Sequence, residues 1–81
     1  MEEVGEVIHY YPKIEVAIVE LKASLKMGDK ILIKGSTTYF NQIVDSIQIE
    51  HKDVQLAEAG NFIGLKVAEK VREKDKLYRV S

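Results

Sequence analysis

Apolar and polar residues alternate most cleanly over residues 30–34, where Ile31 and Ile33 face one way and Lys30 and Lys34 the other. Met27-Gly28-Asp29 leads into this strand, with Gly28 free to take a positive φ, and Gly35-Ser36-Thr37 leads out of it. A first strand over residues 4–11 alternates imperfectly, because Val7 stands among Gly5, Glu6, Ile8 and His9. Tyr11-Pro12-Lys13 turns the chain into a second strand, residues 14–21, whose centre from Val16 to Val19 is apolar on both faces. Residues 22–30 read as a loop with room for one helical turn around Ala23-Ser24-Leu25. Residues 38–51 read as one long strand or two broken ones. Ile43, Ile47 and Ile49 share a parity with Asp45, which predicts a bulge or bend near Asp45-Ser46. Residues 52–61 form a loop whose Val54, Leu56 and Ala57 fold back on the core. A strand over residues 62–68 points Ile63, Leu65 and Val67 inward, with Gly64 on the other face admitting a close neighbour. After a charged loop at residues 69–75, residues 76–80 close the sheet.

Short strands separated by turn signals predict an all-β fold, a small closed antiparallel barrel of about six strands, spanning residues 1–81 as a single domain. Its expected core is Val7, Ile31, Ile33, Ile47, Ile49, Ile63, Leu65 and Val67. Residues 15–26 also fit a helical period, but their β-branched residues favour the strand. The composition agrees: nine Ile and nine Val carry the apolar content, against two Phe and no Trp.

Charge narrows the function. Twelve basic and 13 acidic residues leave a net charge of −1, without the basic excess on which phosphate-backbone binding draws, although a local basic patch stays open. The chain has no Cys, so disulfides, thiolate metal sites and thiol nucleophiles are excluded. The start Met1-Glu2-Glu3 lacks the basic region of a signal peptide, and no apolar run is long enough for a spanning helix. The expectation is therefore a cytoplasmic protein with no membrane partner.

No phosphate-binding loop signature occurs, so the chain is not expected to bind GTP on its own. His9 and His51 are too few for a zinc site, and Asp45, Glu50, Asp53 and Glu58 lie among lysines as solvated carboxylates. Ser24, Ser36, Ser46 and Ser81 lack a nucleophile-elbow context. The expectation is no enzyme and no cofactor. Tyr10, Tyr11, Tyr39, Phe40, Phe62 and Tyr78 either plug the ends of the barrel or present a stacking surface, and Tyr10-Tyr11 beside Lys13 is the most suggestive cluster.

The strand at residues 30–34, its Gly28-Asp29 entry, the preceding Val16-to-Leu21 run, the later Ile43-to-Glu50 run and Ala59-Gly60-Asn61-Phe62-Ile63-Gly64 together resemble the second, β-barrel domain of translational GTPases such as elongation factor Tu. That resemblance implies a barrel and a pocket between residues 47–52 and 59–64. Ala59, Gly60 and Gly64 match the family's structural residues, whereas Gln48, Glu50 and Phe62 replace its functional ones, so aminoacyl-transfer-RNA binding is not carried over. The chain also resembles the C-terminal barrel of collagenase-like peptidases, through its apolar Val-Glu strand, its Gly-Asp turn and the late segment Lys70-Val71-Arg72-Glu73-Lys74-Asp75-Lys76-Leu77-Tyr78. Both relatives attach the barrel to a catalytic domain. The expected function is a non-catalytic binding module related to translation factors that contacts RNA, the ribosome or a translation partner. The alternative is a protein-docking module serving a separately encoded enzyme. Candidate RNA or partner contacts are Tyr10, Tyr11, Lys13, Gln48, His51, Lys52 and Phe62.

Overall fold

A computed structural model describes residues 1–80; Ser81, one of the four serines without a nucleophile context, lies outside the described residues. Ten strands succeed one another in chain order: β1 (Glu2–Tyr11), β2 (Val16–Leu21), β3 (Leu25–Lys26), β4 (Lys30–Lys34), β5 (Tyr39–Ile43), β6 (Ile47–Ile49), β7 (Lys52–Asp53), β8 (Leu56–Ala57), β9 (Phe62–Lys66) and β10 (Lys76–Arg79). Eight of them make one antiparallel sheet in the order β5-β4-β10-β1-β2-β9-β6-β7, and β3 pairs with β8 in a second. The predicted closed, six-stranded barrel needs correction: the main ladder has eight strands, and no pairing joins its two ends among the described residues. A side chain spans part of the gap instead. The Gln42 amide of β5 donates to the Lys66 carbonyl at 2.9 Å and accepts from the Ala68 N–H at 2.8 Å, standing in for a strand partner at the end of β9.

The core forms one cluster. Of the eight residues expected there, seven are buried, and Ile49 packs against the cluster half-buried. Pattern reading missed Val4, Leu25, Val71 and Leu77, which are equally buried. The imperfect alternation of β1 has a definite cause. The register slips at Val4 in the ladder with β10 and at Ile8 in the ladder with β2. Each such bulge sets one extra residue against the partner strand and reverses the facing of the residues beyond it. Val7 therefore points in, Ile8 is pushed out, and His9 and Tyr11 share the outer face with Ile18 and Val16.

The bend expected near Asp45 falls between β5 and β6. Its effect on parity differs from expectation, since Ile43 is exposed and Val44 buried. The Gly28 N–H donates to the Val44 carbonyl, and the Val44 N–H donates to the Asp29 carbonyl. These two bonds draw Val44 out of register towards the turn, where Gly28 takes the expected positive φ of 90°. Residues 23–25 form no helical turn; Leu25 enters β3 and is fully buried. The loop at residues 52–61 contains β7 and β8, and it folds back through Ala57 and Val54.

Candidate functional site

The outer face of β2 explains why its centre is apolar on both sides. Ala17 and Val19 enter the core, while Val16 and Ile18 form the floor of a surface groove of about 230 Å³. The floor continues onto β9 through Ile63 and Gly64, with Gly64 in register between Ile18 of β2 and Gln48 of β6. One wall is the β1–β2 hairpin, with Tyr11 and Ile14 exposed. The opposite wall is Gln48 and the turn Glu50-His51, and exposed Phe62 also borders the groove.

Four of the seven candidate residues, Tyr11, Gln48, His51 and Phe62, therefore line one groove, although they come from three separate parts of the chain. Lys13 stands at the hairpin tip beside Tyr11, Pro12 and Ile14. The structure separates the other two from the site. Tyr10 points the other way and packs against the core, because of the register slip at Ile8. Lys52 is exposed on β7, opposite Ile49 and outside the groove lining. Sequence reasoning missed Ile14, Val16 and Ile18 as lining, and left Glu50 out of the candidate contacts although the resemblance put it in the pocket. A strand apolar on both faces was the available signal.

Two local features of the groove run against stability. Glu50 and His51 have φ of 51° and 66°, the positive pair required by a two-residue hairpin loop joining β6 to β7. Asn-Gly suits such a loop, whereas other L-residues are strained there. Gly64 lacks a positive φ, and a Cβ built on it meets nothing nearer than Val16 Cγ1 at 3.5 Å. The fold would accept a side chain there, and a strand interior favours one.

Among the described residues, no three His, Asp or Glu side chains converge to hold a metal ion. His9 sits outside the groove, 3.6 Å from Glu73 and edge-on to the Tyr11 ring. Gln48 donates to Asp53 at 3.1 Å. Glu50 and Glu20, the latter opposite Phe62 in the ladder, form no ion pair among the described residues.

Elsewhere on β1, Lys22 and Lys76 bridge Glu3 and Glu6. The Lys76 hydrogen bond and charge, helped by Lys22, hold the Glu6 carboxyl below its ordinary range, and Glu6 in turn raises Lys76. The Glu6 contribution is present at neutral pH and fades as pH falls through its lowered value; that of Lys76 fades as pH rises past the ordinary lysine range. In an NMR titration, Lys76→Met should move Glu6 back up towards the usual carboxylate value and flatten the acid limb of the stability curve. An unmoved Glu6 would contradict this assignment.

No family model matches the chain. The chain is 47% identical over 77 residues to an uncharacterized protease of Methanocaldococcus jannaschii, and 42% identical over 78 residues to a collagenase of Porphyromonas gingivalis. Each alignment covers 94% of this chain but only 19% and 22% of the relatives, so the chain spans about a fifth of their length. Among solved structures, it superposes on the C-terminal domain of a Geobacillus thermoleovorans protein described as a putative U32 peptidase, with a TM-score of 0.93, 20% identity and coverage of 99% and 93% of the two chains. These relatives carry protease and collagenase names, which overturns the translation-factor and RNA-binding reading of the sequence. The resemblance to the C-terminal barrel of collagenase-like peptidases is the one supported, and the fold is that of a U32-peptidase C-terminal domain.

Proposed function

We propose that this chain is a non-catalytic companion domain of a peptidase, working by docking on a protein partner rather than by chemistry of its own. The observation that carries the reading is the alignment: nearly all of this chain matches about a fifth of proteins named protease and collagenase. The groove supports it, since its apolar floor and rim suit contact with another polypeptide. The absence of Cys and the scattered carboxylates favour catalysis elsewhere. Ribosomal and RNA partners have no support from the relatives, and a partner protein fits them.

The test uses the Porphyromonas gingivalis collagenase with its matched stretch deleted, or replaced by this chain. Gelatin and peptide hydrolysis should be lost on deletion and restored by the replacement, while the free chain hydrolyses neither. Saturable turnover by the free chain, or full activity of the deletion form, would overturn the proposal.

A further inference from the structure

We infer that the groove between the β1–β2 hairpin and the β6–β7 turn is the docking site, and that its occupant is an extended segment of the peptidase unit carrying an apolar side chain beside a lysine or arginine. The inference rests on the companion-domain reading and adds the surface and the chemistry of the partner.

Three independent features converge on this one groove. Tyr11, Ile14 and Phe62 expose 47%, 59% and 55% of their surface at its edges, where burial by a partner gains most. Gly64 leaves a gap in the middle of β9 that internal packing does not require, because a Cβ there would make only ordinary contacts. A glycine in a strand interior without such a need leaves room for a foreign chain to come close. Glu50 and His51 occupy positive-φ positions that Asn-Gly would fill with less strain, so the turn keeps side chains that the fold does not favour. Strain of this kind, held at a surface concavity, belongs to a site rather than to a scaffold.

Size and charge identify the occupant. A surface space of about 230 Å³ accepts one or two large side chains on an extended backbone. Glu50 on the wall and Glu20 beside Phe62 are carboxylates without a cation partner among the described residues. An apolar anchor flanked by a basic residue therefore complements the Glu50 and Glu20 side of the groove, opposite Lys13 at the hairpin tip.

The experiment is selection of a random peptide display library on the intact chain. Survivors should carry Leu, Ile, Phe or Trp next to Lys or Arg, and their synthetic versions should lose binding to Gly64→Phe and weaken on Glu50→Gln. Gly64→Ala and the double change Glu50→Asn with His51→Gly should raise the melting temperature while weakening the same peptides. That opposition separates a binding site from a merely structural one. Acidic survivors, binding that ignores Gly64→Phe in a folded variant, an empty selection, or a second copy of this chain filling the groove in sedimentation would each overturn the inference. The collagenase replacement reports separately on the companion-domain reading, because it scores activity whichever surface is used.

Discussion

Leu65→Ala should remove a large share of the chain's stability. Leu65 is fully buried at the centre of β9, with Ala17 of β2 and Ile47 of β6 as its ladder neighbours. Removing its isobutyl group deletes buried apolar surface and leaves a cavity that three paired strands cannot collapse to fill. Such truncations cost about 2–5 kcal/mol. A domain of this size has roughly 4–12 kcal/mol in total at the usual stability per residue. Denaturant unfolding should show a large fall in midpoint with a similar slope. A loss comparable to that of an exposed truncation such as Ile43→Ala would mean that the core is not where the fold places it.

The second large effect is expected at Gly35. A Cβ there would lie 1.8 Å from Asp75 Oδ1 and 2.6 Å from Cγ, so the carboxyl must move. Asp75 is buried, and its Oδ2 accepts the Arg72 N–H at 2.9 Å, while its backbone carbonyl accepts the Val7 N–H. Moving the carboxyl gives up the bond to Arg72 and strands a buried charge, at about 1–3 kcal/mol. Gly35→Ala and Asp75→Ala should each destabilise, and the double variant should cost clearly less than their sum, because the clash is absent once the carboxyl is gone. Simple additivity in thermal unfolding would contradict the contact.

Much of this architecture was legible in local pattern. The strand expected at residues 30–34 is β4 with those bounds, although Leu32, on the lysine parity, is buried as well; the bend at Asp45 and the turn at Gly28 appear where the residue types put them. Closure was not legible. A closed barrel and an open ladder share the same alternation, and here a single side chain, Gln42, reaches across the gap. The parity of β1 was hidden for a related reason: a bulge is set by pairing on both sides of the strand and leaves only broken alternation behind.

The groove was partly visible. Tyr11, Gln48, His51 and Phe62 were singled out, and the fold brings them together. What united them could not be read, since Ile18, Gly64 and Gln48 meet only through the register of three strands. The translation reading failed for a physical reason too. Residues that shape a small all-β fold, such as Gly60 at its positive-φ turn, recur wherever the shape does, whereas function rests on side chains that differ. Departures at Gln48, Glu50 and Phe62 were the sequence's own indication against aminoacyl-transfer-RNA binding.

Hydrogen exchange on the collagenase carrying this chain in place of its matched stretch tests the central claim most directly. Docking through the groove predicts that amides of the Glu50-His51 turn and of residues 11–14 exchange more slowly in the joined protein than in the free chain, while those of β5 are unchanged. Equal exchange in the two forms, or protection confined to β4 and β5, would contradict it.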